Sequence, residues 1–167
     1  LEARAIAERS GGLCALLPYP DEPERIAPLA EAFPGRFYVG AIRAFCAGDE
    51  DRLHRARTLA RALNAPLLVH TDAHTALRSQ QPLQDVVTAI RHGTTVAAAG
   101  KKLFPNAERT LKSPAELLAL FPDMPEVVGR TLEVSDACQF SLDQLRYQFS
   151  QEALPPGLTP MQYLVQL

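Results

Sequence analysis

The chain has 167 residues, of which 47% are hydrophobic and 22% charged, and its formal net charge is −2. This length and composition are typical of a globular protein with one hydrophobic core of ordinary size. Because positive and negative charges nearly balance, the net charge gives no indication of nucleic-acid binding. No apolar run reaches the length of a membrane span. We therefore expect a cytoplasmic protein that does not enter a membrane.

The first part of the chain predicts strands alternating with helices. Short apolar runs bounded by turn residues indicate buried strands, and apolar residues at helical spacing indicate amphipathic helices. Strands are predicted at residues 13–17, 36–42 and 66–70, and helices at residues 1–9, 23–33 and 49–64. Such alternation with short connections is typical of parallel α/β layers.

After residue 80 the pattern predicts helices alone. They are expected at residues 83–90, 113–120 and 123–138 and from residue 159 to the end. Ser113 and Glu116 have the spacing of a capping box, and Thr159 and Gln162 repeat it. The chain is thus expected to divide into an α/β part (residues 1–80) and an all-helical part (residues 81–167).

Both ends of the chain fall within helical patterns, and the first residue is Leu1 rather than Met. We expect a fragment of a longer protein. Its three cysteines, Cys14, Cys46 and Cys138, lack the spacing of a metal site and cannot all pair with one another. Since Cys14 lies in an apolar run and Cys138 on an apolar helix stripe, buried free thiols in a reducing compartment are predicted.

A cluster of polar side chains follows the third predicted strand. His70, Asp72 and His74 alternate along the chain and would share one face if the extended geometry persisted. Ligands and catalytic groups gather at the carboxyl ends of parallel strands, which favours a metal or acid–base site here. The alternative is that these side chains cap loops or satisfy backbone groups.

Several segments resemble a known family. Residues 71–74 (Thr-Asp-Ala-His) with residues 81–87 resemble the last metal-binding motif of a PHP (polymerase and histidinol phosphatase) domain. Residues 106–116 resemble the segment that leads from that domain towards the palm of bacterial family C DNA polymerases. Residues 145–147 (Leu-Arg-Tyr) and 157–160 (Gly-Leu-Thr-Pro) are similar to the error-prone branch of that family.

The resemblance implies a fragment of an error-prone DNA polymerase, a nucleotidyltransferase of translesion synthesis, DNA repair and replication. The expected fold is part of a distorted (β/α)7 PHP barrel followed by helices. The palm carboxylates that hold Mg²⁺ would lie outside the chain, so the fragment should not polymerise DNA. DNA and dNTP would be partners of the parent polymerase, together with proteins that recruit it to a translesion complex.

The resemblance also implies that Asp72 and His74 line a metal site for Zn or Mn. His70 has no counterpart in the motif, and we expect it to support the core or the ligands. Two further positions depart from the family pattern, because Ala44 and Ala76 stand where histidines are frequent. Loss of these imidazoles removes nitrogen ligands and predicts a weakened or degenerate metal site.

Other polar residues have simpler expected roles. His54 should lie on a solvated helix surface, and His92 should stand at the C-terminus of a helix, where a positive charge is favourable. A basic cluster (Lys101, Lys102, Arg109 and Lys112) is interpreted as surface charge that pairs locally with Glu108, with salt-sensitive phosphate contact as the alternative.

Two other functions remain open from the sequence. One is a metal-dependent phosphoesterase of the PHP class, in which bound metal would activate water. The other is an interaction module whose apolar helix faces bind a partner subunit. If the barrel is incomplete, unpaired strand edges and exposed apolar faces predict self-association or poor solubility of the isolated chain.

Overall fold

The computed structural model describes residues 3–146 and 154–166. It divides into two compact units, residues 1–137 and 138–167. The strands are β1 (Ala15–Leu17), β2 (Phe37–Ala41) and β3 (Leu67–Val69). The helices are α1 (Ala3–Ala7), α2 (Pro23–Glu31), α3 (Asp49–Ala62), α4 (Gln81–Arg91), α5 (Val96–Ala99), α6 (Pro114–Leu120), α7 (Pro125–Ala137) and α8 (Pro160–Gln166). Predictions that involve Leu1, Tyr147 or Leu167 lie outside the described residues.

The described part of the chain forms a parallel three-stranded sheet with the order β1-β2-β3. The predicted α/β class is therefore confirmed, while the partial (β/α)7 barrel stays a prediction. The strands are joined by α2 and α3, as the alternating pattern indicated. The division of the chain at residue 80 also stays a prediction.

Strands β2 and β3 differ from β1 in burial. All five residues of β2 are buried, and Leu68 and Val69 of β3 are buried as well. In contrast, Leu16 of β1 is 39% exposed, although β1 and β3 are both edge strands of the sheet. The prediction of full burial was wrong for this strand.

Two clusters of buried side chains surround the sheet. The first joins β2 and α3 to the end of the segment after α2 and consists of Phe33, Phe37, Val39, Ala56, Leu59 and Ala60. The second joins the sheet and α3 to residues around α6 and α7 and consists of Ala41, Leu53, Val69, Phe121, Met124, Val127 and Val128. Because the second cluster draws residues from both predicted parts of the chain, the α/β layer and the later helices share one core.

Helix α7 also covers the outer edge of β3. The ladder between β2 and β3 uses bonds from Val39 N to Pro66 O and from His70 N to Ala41 O. The carbonyl of Leu67, the residue after Pro66, instead accepts a 2.9 Å bond from Arg130 Nη1 of α7. A side-chain donor thus satisfies a strand edge that would otherwise present an unpaired carbonyl.

Both predicted capping boxes are confirmed. Ser113 Oγ accepts from Glu116 N at 3.3 Å, and the Glu116 carboxylate accepts from Ser113 N at 2.8 Å. In the second compact unit, Thr159 Oγ1 accepts from Gln162 N at 3.3 Å. These side chains satisfy amide groups that have no partner within the first turn of a helix.

Some apolar residues lie in positions that the sequence did not indicate. The apolar stripe of α4 is exposed, with Leu83 63% and Ile90 73% accessible, whereas the small Ala89 of the same helix is buried. The cysteines are free, as predicted, but the prediction of burial was wrong for Cys14 and Cys138, which are exposed. Within residues 3–146 and 154–166, the helices are too short or too polar to span a bilayer.

Gly40, in the middle of β2, is fixed by close packing. A Cβ atom at this position would lie 2.8 Å from the His70 ring and 2.8 Å from the Pro18 carbonyl oxygen. We predict that Gly40→Ala lowers the free energy of unfolding by about 1–3 kcal/mol, as overpacked cores do. Chemical denaturation of the variant and the wild type measures this difference.

Gly129→Ala is the matched control for this substitution. Gly129 lies within α7, and apart from its chain neighbours and the backbone of its own helix an added Cβ would meet no atom within 4 Å. Alanine there should raise stability by about 0.5–1 kcal/mol, since glycine is unfavourable within helices. Equal stability of Gly40→Ala and the wild type would contradict the close packing of Gly40 against His70 and Pro18.

Candidate functional site

The polar residues of interest gather at the carboxyl edge of the sheet. Tyr19 follows β1, Arg43 follows β2, and residues 70–74 follow β3. Parallel strands bring these three segments to the same edge, which is where ligands bind in open α/β sheets. The structure therefore brings the predicted His-Asp-His segment together with residues distant in sequence.

Asp72 is the centre of this arrangement. Its Oδ2 atom accepts hydrogen bonds from the Tyr19 hydroxyl and from Nη1 of Arg109. Nη1 of Arg109 also donates to the Tyr19 hydroxyl oxygen at 2.7 Å. His74 is more distant, with Nε2 3.7 Å from the same Asp72 oxygen. The Asp72 carboxylate thus faces a cation of its own chain.

The expected extended geometry does not persist through the segment. Asp72 has a φ of 45°, in the left-handed region, so the backbone turns between His70 and His74. The three side chains accordingly do not share one face. Asp72 and His74 approach each other, whereas His70 points to a different partner.

His70 packs back against the sheet. Its Nε2 lies 2.8 Å from the Pro18 carbonyl oxygen, and its ring stands edge-on to Tyr19 at 6.0 Å between centroids. Burial lowers the pKa of His70, and the positive charge of Arg109 lowers it further, while the bond to Pro18 opposes the shift. A neutral ring that donates to a carbonyl is a structural contact, and the predicted supporting role of His70 agrees with it.

Arg109 is held by a second set of contacts. Its guanidinium lies 4.4 Å from the centroid of the Phe104 ring, and that ring packs at 4.7 Å against the His74 ring. The backbone carbonyl of Arg109 accepts a 2.9 Å bond from His74 N, and the buried Thr110 forms a parallel bridge with Thr75. The loop after β3 and the segment around Arg109 are therefore bonded through both side chains and backbone.

A second arginine occupies the end of β2. Arg43 donates to Asp123 Oδ1 at 2.6 Å and to the Leu120 carbonyl at 2.7 Å, and it lies 5.0 Å from the centroid of Phe121. The neighbouring Ala44 is buried. The end of β2 therefore forms an ion pair with Asp123, which lies between α6 and α7. Ala44 provides no imidazole at this end of the strand.

The four residues of the predicted basic cluster do not form one exposed surface. The Lys112 and Arg109 side chains are only 1% and 16% exposed, so their interpretation as surface charge was wrong. Local pairing with Glu108 is confirmed for Lys112, at 2.8 Å. Lys101 and Lys102 are exposed, as expected.

The remaining histidines lie as predicted. His54 is exposed on α3, and His92 is the C-terminal cap residue of α4. Sequence reasoning missed Tyr19, Phe104 and the pairing of Arg109 with Asp72. The position of Tyr19 directly after an apolar strand was an available signal, whereas no local pattern indicates Phe104 or the partner of Arg109.

The donor set at Asp72 does not fit the Zn or Mn site that the resemblance implies. Among the described residues, no group of three His, Cys, Asp or Glu side chains is arranged to hold a metal ion. Asp72 and His74 offer one carboxylate and one imidazole, and Arg109 already contacts the carboxylate. Zn²⁺ in proteins takes at least three protein ligands, and a neighbouring guanidinium opposes any divalent cation.

Comparison with known proteins shows homology to one class of enzyme. The chain is 43% identical over 152 residues to a protein named error-prone DNA polymerase from Anaeromyxobacter dehalogenans (strain 2CP-C), a match that covers 91% of the chain and 13% of that protein. Proteins of the same name match from Brucella suis biovar 1 (39% identity, 90% of the chain, 14% of the protein) and Caulobacter vibrioides (37%, 86% and 13%).

No protein-family model matches the chain. The chain spans 13–14% of the length of these curated relatives. It is therefore homologous to a segment of error-prone DNA polymerases, and the expected resemblance to that branch is confirmed. Its assignment to a PHP domain stays a prediction.

The ion pair between Arg43 and Asp123 predicts a pH-dependent stability. The hydrogen bond from Arg43 lowers the Asp123 pKa to about 2, and Arg57 contributes to this shift. Because the folded pKa lies below the unfolded value, the ion pair stabilises fully above about pH 4 and loses its effect as the pH falls towards 2. Asp123→Asn should therefore lower the melting temperature at pH 6 and have little effect near pH 2.

Thermal unfolding between pH 2 and pH 7 measures this difference. Glu133→Gln is the control, because it removes an exposed carboxylate of α7 and leaves Arg43 paired. A difference between Asp123→Asn and the wild type that stays constant down to pH 2 would contradict the assigned ion pair.

Proposed function

We propose that the chain is a non-polymerising structural segment of an error-prone DNA polymerase. The observation that carries this proposal is the 43% identity over 152 residues to a protein of that name. The segment would correspond to the later part of a PHP-like domain and the helices that lead from it towards the polymerase core. Its metal site would be degenerate and its role that of a scaffold.

The contacts at the carboxyl edge support a structural role. Asp72, the acidic residue of the predicted motif, is bonded to Tyr19 and Arg109. Arg43 is bonded to Asp123 and to the backbone of Leu120. These groups form their hydrogen bonds with one another. They would therefore join the strands to later segments of the chain rather than bind a substrate.

The activity of the whole protein follows as a further proposal. We expect the parent polymerase to bind DNA and dNTP and to transfer nucleotides with Mg²⁺ held by carboxylates outside this segment. Its function would be translesion synthesis in DNA repair and replication, with recruitment by partner proteins. The present segment would contribute to the stability of that larger protein.

A phosphoesterase of the PHP class is the second candidate. Hydrolysis of a phosphoester by this class requires bound metal to activate water and neutralise the phosphate. Asp72 and His74 supply two donors, and Arg109 occupies one side of the carboxylate. The site geometry therefore favours the structural role over independent hydrolysis.

Primer extension tests the proposal. The 167-residue chain and the product of the complete reading frame that contains it are compared on primed templates, one undamaged and one with an abasic site. We expect extension by the complete product on both templates and none by the chain alone, because the palm carboxylates would lie outside this segment.

The phosphoesterase candidate is tested with the same preparations. Hydrolysis of bis-(4-nitrophenyl) phosphate is measured with added Mn²⁺ or Zn²⁺, and Asp72→Asn is the control. Metal-dependent hydrolysis by the chain that Asp72→Asn abolishes would contradict the structural role. A complete product that cannot extend a primer would contradict the polymerase assignment.

A further inference from the structure

We propose that Arg109 is a built-in cation that replaces a divalent metal at Asp72 and His74. The guanidinium would neutralise Asp72 and hold the segment around Phe104 and Thr110 over the end of β3. The chain would consequently fold and keep this site intact without metal. This inference rests on the geometry at Asp72 and not on the polymerase assignment.

The Arg109 charge lies against the carboxylate that a metal would bind. Arg109 Nη1 contacts the Asp72 oxygen that lies nearest to His74, whose Nε2 is 3.7 Å from it. A metal that joined His74 to its nearest Asp72 oxygen would use that same oxygen. Because an arginine stays protonated under all ordinary conditions, its charge opposes a divalent ion that approaches the carboxylate.

Arg109 is also anchored against displacement. Its side chain is 16% exposed and stacks on Phe104, and Phe104 in turn packs on His74. The backbone on either side is tied to the loop after β3, by the bond from His74 N to Arg109 O and by the bond from Leu111 N to Thr75 O. A metal ion would have to break several of these contacts to reach Asp72.

Hydrogen bonding alone does not explain why Arg109 occupies this position. Arg109 Nε is buried and has no hydrogen-bond partner within the described part of the chain. An unsatisfied buried donor costs about 1–3 kcal/mol, so hydrogen-bond complementarity alone does not account for this arginine. Its charge opposite Asp72 and its stacking on Phe104 are the contributions that offset that cost.

Metal binding by the 167-residue chain tests the proposal. Zn²⁺ and Mn²⁺ are titrated by calorimetry into the wild type, Arg109→Gln and the double variant Arg109→Gln/Asp72→Asn, and the melting temperature of each is measured with EDTA and with Zn²⁺. We expect no saturable site at Asp72 in the wild type and a melting temperature that EDTA does not change.

Arg109→Gln removes the charge and should bind Zn²⁺ about tenfold or more tightly than the wild type, although Asp72 and His74 alone form a weak site with two protein ligands. The gain should disappear in the double variant, because Asp72 would no longer offer a carboxylate. Equal Zn²⁺ affinity of Arg109→Gln and the wild type would overturn the proposal. So would stoichiometric metal in the wild type that Asp72→Asn removes.

Circular dichroism shows whether Arg109→Gln folds. If it does not, Arg109→Lys is the variant that tests the proposal. Lysine preserves the positive charge but loses the planar stacking on Phe104. It should melt at a lower temperature than the wild type and still exclude Zn²⁺. Tighter Zn²⁺ binding by Arg109→Lys than by the wild type would contradict a charge-based exclusion. None of these outcomes depends on primer extension. The replacement of a metal by Arg109 and the assignment to a polymerase can therefore be refuted independently of each other.

Discussion

Complete burial of the central strand β2 is the constraint on which the first compact unit depends. A parallel strand with no exposed residue needs a neighbour on each side and apolar cover for both faces. Here α3 supplies part of that cover, and Phe121, Met124, Val127 and Val128 around α7 supply another part. Because α7 lies far beyond β3 in sequence, the sheet cannot complete its core from the α/β segment alone.

The same dependence explains the chemistry of the carboxyl edge. This edge is the usual ligand site of parallel sheets, yet here later segments occupy it. Asp123 binds Arg43 after β2, and Arg109 binds Asp72 after β3. Contacts of this kind convert a position suited to a ligand into a junction between two stretches of chain. This use is compatible with the structural role proposed above.

Periodicity and local chemistry predicted much of this fold. The apolar run of β2, the helical spacing of α3 and the capping box at Ser113 each depend on residues close in sequence, and each is confirmed. The site was less predictable, because Arg109 is 37 positions from Asp72. The left-handed backbone at Asp72 also separated side chains that simple alternation would have aligned. Local patterns do not encode such long-range pairings.

Because α7 completes the core of the sheet, the α/β layer and α7 should unfold as one cooperative unit. Hydrogen exchange, followed by mass spectrometry at increasing denaturant, tests it directly, since amides that open together share one free energy and one denaturant dependence. We expect peptides from β2 and from α7 to converge on the same global unfolding free energy. Exchange of α7 through an opening of much lower free energy, while β2 stays protected, would show that α7 and β2 do not share one cooperative core.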